Sequence, residues 1–103
     1  MKKNIIIIGG GASGLMCAIS AAENCNVIVL EKNDKVAKKV MITGKGRCNV
    51  TNDSAPQEFL QKVCTNARFL KSSLYAFPPE AVKDFFEEAD VPLKTERGER
   101  VFP

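Results

Sequence analysis

Gly9, Gly11 and Gly14 stand at GxGxxG spacing immediately after four consecutive isoleucines at residues 5–8. An unbroken β-branched run suits a strand covered on both faces, as in a parallel sheet. Each glycine then has a separate task. Gly9 permits a tight turn, Gly11 lets the backbone approach a ligand closely, and Gly14 lets a following helix pack against the strand. Leu15, Ile19 and Ala22 recur at helical spacing with Gly14, Ala18 and Ala21 beside them, which predicts a helix over residues 13–23. Asn24 is a candidate left-handed stop. A second apolar run, residues 27–30, ends at Glu31. The pattern is a β-α-β unit, and the fold class it implies is α/β with a Rossmann-like core.

The same residues carry a chemistry. A helix that opens directly from a glycine turn presents free N–H groups and a positive dipole end, a site for phosphate oxygens. Ala12 and Ser13 lie in that opening turn. Glu31 follows Gly9 by 22 positions (31 − 9), at the end of the next strand. Its carboxylate can accept hydrogen bonds from both hydroxyls of an adenosine ribose, and it would repel a 2′-phosphate. Lys32 is the adjacent candidate. A GxGxxG alone is a weak signal, and a glycine-rich turn with a surface glutamate is its bland alternative. With a strand before, a helix after and an acid closing the second strand, it reads as a dinucleotide fingerprint. It does not separate FAD from NAD, since both present an ADP half.

Further along, residues 33–39 are mostly polar, and Val40, Met41, Ile42 and Thr43 form a short strand candidate. Ser54 is placed to cap a helix beginning at Pro56, with Phe59, Leu60 and Val63 inward. Asn66 opens another helix bearing Leu70, Leu74 and Phe77. Val82, Phe85, Phe86 and Ala89 fall at i, i+3, i+4 and i+7, so residues 80–89 form an amphipathic helix. Residues 93–95 and 100–102, joined around Gly98, read as a C-terminal hairpin. Phe69, Tyr75, Phe85 and Phe86 are read as core.

Residues 43–52 hold a second constellation: Gly44 and Gly46, the cations Lys45 and Arg47, then Cys48, Asn49, Thr51 and Asn52. Such a loop can turn N–H groups toward an anion, and Arg47 can clamp a phosphate or pair with Glu31. A solvated turn is an equal reading of the composition. Four stretches, IIIIGGGASGLMCAI, VIVLEK, KKVMITGKGRCNVTN and GERVFP, resemble the N-terminal end of a bacterial flavoprotein family. Its members are known as aminoacetone oxidase family FAD-binding enzymes or YhiN-like proteins, and some are linked to bile-acid dehydroxylation. The resemblance implies FAD as cofactor and a flavin-contacting role for Gly44, Gly46, Arg47, Cys48 and Asn49. Family members often have a third glycine where this chain has Lys45.

The resemblance also implies a longer architecture, in which residues 1–103 are the N-terminal part of an FAD/NAD(P)-binding domain. The rest of that domain and a substrate domain would follow, and this chain alone is expected to be inactive. The function expected is the FAD-binding portion of a flavin-dependent oxidoreductase, with a small-molecule substrate and NAD(P)H as a candidate electron donor. An NAD-binding module, or a flavoprotein with a transferase-type role, is the alternative. No catalytic acid or base stands out, for there is no histidine. Cys17, Cys25, Cys48 and Cys64 have neither CxxC nor zinc-ligand spacing, so no metal site is expected and the cysteines are read as thiols in a cytoplasmic setting. A net charge of +3 with paired rather than massed lysines, one tyrosine and no tryptophan does not point to nucleic acid. The apolar run at residues 5–8 is too short for a membrane span or signal peptide. An open sheet edge is expected to favour self-association.

Overall fold

A computed structural model describes all residues, Met1–Pro103. The chain divides into two compact units, Met1–Cys48 and Asn49–Pro103. Its strands form a two-stranded and a three-stranded sheet.

The first unit is the β-α-β arrangement. Strand β1 (Lys3–Ile8) and strand β2 (Cys25–Leu30) pair in parallel, with Ile5 opposite Val27 and Ile8 opposite Leu30. Helix α1 (Ala12–Ala22) crosses between them. Side chains alternate along a strand, so Ile5, Ile7, Val27 and Val29 share one half-buried face. The opposite face is not covered: Ile6 is 63% exposed and Ile8 87% exposed. The reading of residues 5–8 as covered on both faces is therefore corrected for this chain, because α1 shields only one side of a two-stranded sheet. Asn24 is not a left-handed stop either, since it is absent from the residues with positive φ. The helix simply unwinds through Asn24 N–H, which donates to Ala21 C=O at 3.1 Å, straight into β2.

The strand expected at Val40–Thr43 is a 3₁₀ turn, Val40–Ile42. Thr43 closes it locally, with Oγ1 donating to the Val40 carbonyl at 2.9 Å. Next, Gly44 and Arg47 exchange backbone hydrogen bonds of 2.7 and 3.2 Å around Lys45 (φ 51) and Gly46 (φ 89). Two successive positive φ values are the mark of a type I′ turn.

In the second unit, β5 (Arg100–Phe102) is the central strand, antiparallel to β4 (Lys94–Glu96) and to β3 (Thr51–Asn52). The expected hairpin is present, turning through Gly98 at φ 75. The short β3 was not foreseen, because two polar residues carry no strand pattern. Val101 and Phe102 are the buried centre, at 0% and 1% exposure. Three helices follow β3: α2 (Pro56–Gln61), α3 (Ala67–Ala76) and α4 (Pro79–Glu88). Proline begins α2 and α4, where its missing N–H is not needed. Ala55, not Ser54, is the residue capping α2, and Ser54 Oγ is buried without a hydrogen-bond partner. Asn66 does open α3, in the left-handed conformation. Phe77, Phe85 and Phe86 meet edge-to-face, with centroids 6.4 and 5.2 Å apart. Phe69 and Tyr75 are not core; they are 84% and 46% exposed. No helix is long and apolar enough to cross a membrane.

Candidate nucleotide-binding site

The glycine turn is built by the constraints its spacing implied. Gly9 has φ 101 and donates its N–H to the Leu30 carbonyl at 2.7 Å, tying the end of β1 to the end of β2. A Cβ on Gly14 would stand 1.9 Å from the Gly9 carbonyl oxygen and 3.5 Å from Ile7, so only glycine lets α1 start this close to β1. Gly11 differs: a Cβ there would meet nothing within 4 Å. Its φ of −83° suits any residue. The fold does not demand glycine at position 11, and what the missing side chain leaves is open space.

That space belongs to a cavity of about 490 Å³ lined by Gly10, Gly11, Ala12, Ser13, Glu31, Asn33, Lys38, Lys39, Val40 and Thr43. Ala12, Ser13 and Gly14 occupy the first turn of α1, where backbone N–H groups have no intrahelical acceptor. The first turn carries no acidic side chain to compete with an anion. Across the cavity, Glu31 Oε1 accepts the Gly10 N–H at 2.8 Å. Glu31 Oε2 accepts the Asn33 backbone N–H at 2.8 Å and the Asn33 Nδ2 at 2.9 Å. These donors, Asn33 N–H first and Gly10 N–H next, hold the Glu31 carboxyl below its ordinary pKa of 4.5. It is a fixed anion beside a helix N-terminus. The Gly10 carbonyl in turn accepts the Ala37 N–H at 2.7 Å, so the segment after β2 grips the glycine turn through both backbone polar groups of one residue.

Of the residues expected at the site, Gly11, Ala12, Ser13 and Glu31 line the cavity. Gly9 and Gly14 shape the backbone behind it, and Lys32 is exposed and stands outside the wall. Thr43 is the last wall residue in the chain; Gly44, Gly46, Arg47 and Cys48 come after it, and Asn49 begins the second unit. The N–H groups of Gly44 and Arg47 are spent within their own turn. Asn33, Lys38 and Lys39 line the cavity without having been singled out. Their only trace in the sequence is a polar, lysine-containing loop after an acidic strand end.

The cradle fits an adenosine diphosphate: unpaired N–H groups and two lysines for phosphates, a fixed carboxylate for the sugar, and no Cβ at Gly11. The chain is 34% identical over 100 residues to a 3-dehydro-bile acid delta(4,6)-reductase of Clostridium scindens, covering 94% of this chain and 24% of that protein. It is 39% identical over 71 residues to a ribosomal RNA dihydrouridine synthase of Haemophilus influenzae, covering 67% of this chain and 17% of that protein. The corresponding Escherichia coli synthase is 36% identical over 74 residues, with 70% and 18% covered. The chain thus spans about a quarter or less of the length of these relatives. The HI0933-like protein Rossmann domain matches residues 3–103, and it is to this family, the YhiN-like Rossmann flavoproteins, that the chain belongs.

Proposed function

We propose that this chain binds the ADP half of FAD and serves a flavin-dependent oxidoreductase. The observation that carries the reading is the juxtaposition of Glu31 with the open first turn of α1 across one cavity, with Gly11 leaving space that the fold itself does not require. In this reading the N–H groups of Ala12, Ser13 and Gly14 bind the diphosphate, assisted by Lys38 and Lys39. Glu31 accepts from the ribose and, as an anion, turns away a ribose that carries a 2′-phosphate. When bound, the flavin supplies reversible two-electron chemistry. The family favours FAD over NAD as the occupant, since the chain belongs to the YhiN-like Rossmann flavoproteins. The relatives, one named a reductase and two named for making a dihydro-base, share a gain of hydrogen that a reduced flavin can supply. The relatives' names divide between a bile acid and a ribosomal RNA base as the group that gains hydrogen. Four free thiols, Cys17, Cys25, Cys48 and Cys64, fit a reducing cytoplasm.

The test is identification of the cofactor that copurifies with the protein, released by denaturation and weighed by mass spectrometry. FAD is the expected mass, with a yellow protein before release. NAD, or FMN without an adenosine half, overturns the proposal.

A further inference from the structure

We infer that Asn33 is a second sugar-recognition residue, and that the ribose diol is read by one carboxylate oxygen of Glu31 together with the amide oxygen of Asn33. The inference rests on the proposal that the cavity holds an adenosine diphosphate group, and it assigns how that group is read.

The argument is a count of acceptor sites. An ionised carboxylate offers about four lone-pair sites, two on each oxygen. Three are already filled by the chain's own donors. Gly10 N–H takes one on Oε1, and Asn33 takes two on Oε2 with its backbone N–H and its Nδ2. One site remains, on Oε1. A ribose diol brings two O–H donors side by side, so Glu31 held in this way can accept only one of them. The second needs another acceptor beside it. Asn33 lines the same cavity, and its Nδ2 bond to Oε2 at 2.9 Å fixes the plane of its amide. Asn33 enters the chain's hydrogen bonds as a donor only, through its N–H and Nδ2, so its Oδ1 is an acceptor open directly beside Glu31. Asn33 therefore does two things with one amide: Nδ2 orients Glu31 and Oδ1 takes the second hydroxyl.

The pairing is asymmetric, which makes it measurable. Titrations use ADP, 2′-deoxy-ADP and 3′-deoxy-ADP as probes, on the protein and on Asn33→Leu. Leucine keeps the side-chain volume near Glu31 while removing the acceptor and shielding Oε2 from the sugar. In the unsubstituted protein each missing hydroxyl weakens binding, by about tenfold for one lost hydrogen bond. In Asn33→Leu one deoxy analogue binds as well as ADP, because the hydroxyl it lacks is no longer read. The other analogue keeps its full penalty through Glu31. Ratios between ligands within one variant cancel any general loss of stability. Should Asn33→Leu not fold, Asn33→Ile, which matches leucine in volume and also lacks a side-chain acceptor, takes its place under the same criterion. Both penalties retained, or both lost together, overturns the inference; the latter would mean that Asn33 acts only through Glu31. If the unsubstituted protein binds none of the three probes, the reading of the cavity as an ADP site falls and the inference with it. If ADP binds and only the pattern fails, the cavity keeps its assignment and Asn33 loses its own.

Discussion

Glu31 Oε1 and the Gly10 N–H are 2.8 Å apart across 21 residues of sequence, so the acid that closes the second strand also holds the glycine turn. The bond couples protonation to the site. The folded-state pKa of Glu31 lies below 4.5, chiefly through the Asn33 and Gly10 backbone donors. A depressed carboxyl contributes stability that is fully present above its unfolded pKa and is lost as pH falls through the folded value. Glu31→Gln should therefore flatten the acid side of the stability curve below pH 4.5 and leave its shape above that unchanged. Nucleotide affinity should fall by about tenfold or more in the same variant, as a charged acceptor is lost. Urea titrations at stepped pH, paired with ADP titrations at neutral pH, check both. An unchanged acid limb would show that the carboxylate is not coupled to folding.

Gly11→Ala and Gly14→Ala should separate binding from folding. At Gly14 the new Cβ would lie 1.9 Å from a backbone oxygen that cannot move aside without opening the turn. The cost should reach or exceed the roughly 1–3 kcal/mol of ordinary overpacking. At Gly11 the Cβ meets nothing, and replacing a glycine at a compatible φ typically gains about 0.4–1 kcal/mol. Gly11→Ala should therefore fold at least as well as the unsubstituted chain while binding ADP or FAD more weakly, because the methyl enters the space that the ligand needs. Equal affinity with equal stability would mean that nothing approaches the backbone at Gly11.

Much of this was legible in the sequence because periodicity and glycine spacing are local signals. The β-α-β order, the amphipathic α4 and the hairpin around Gly98 all follow from residues close in the chain. What failed depends on neighbours that no local pattern contains. The covering of Ile6 and Ile8 requires a layer beyond α1. The β3 strand exists only because Val101 and Arg100 stand opposite Thr51 and Asn52. Residues 40–43 are β-prone, yet no strand lies alongside to satisfy their backbone, so local 3₁₀ hydrogen bonding wins. At the site, Glu31 was found by its distance from Gly9. Asn33 was not, since an asparagine in a polar loop reads as turn chemistry until its amide is seen on the carboxylate.

Lys45 sits at φ 51, in a turn whose two central residues both need positive φ. For a residue with a Cβ that conformation costs roughly 1–2 kcal/mol, and glycine is free of this cost. Glycine loses more chain entropy on folding, on the order of 0.5–1 kcal/mol, which offsets part of the gain. Lys45→Gly should thus be neutral to about 1 kcal/mol stabilising, and Lys45→Val should destabilise, β-branching making positive φ worse still. Chemical denaturation of the two variants decides it, and a clear loss of stability in Lys45→Gly would show that the lysine side chain contributes more than its strain.

In the second unit, Lys83 Nζ on α4 meets Asp53 Oδ1 at 2.8 Å, and Asp53 Oδ2 accepts the Thr95 hydroxyl of β4 at 3.2 Å. One carboxylate therefore joins the segment after β3 to a helix and to the edge of the three-stranded sheet. The Lys83 bond is the main cause that lowers the Asp53 pKa below 3.8, and the Asp53 bond is the main cause that raises Lys83 above 10.5. The signs are opposite and so are the windows. Stability from Asp53 is present above pH 3.8 and is lost as pH falls below it; stability from Lys83 is present below pH 10.5 and is lost as pH rises through its raised value. The side chains are 24% and 38% exposed, so solvent screens the pair, and its worth is about 1 kcal/mol rather than a buried ion pair's several. Asp53→Asn should remove it at neutral pH, flatten both the acid and the alkaline limb, and reduce the salt sensitivity of unfolding. Thr95→Val should cost less, because it removes a neutral donor and leaves the charge pair in place. Urea unfolding of the two variants at low and high salt is the measurement. A larger loss for Thr95→Val than for Asp53→Asn would show that the hydroxyl, not the ammonium, holds this carboxylate.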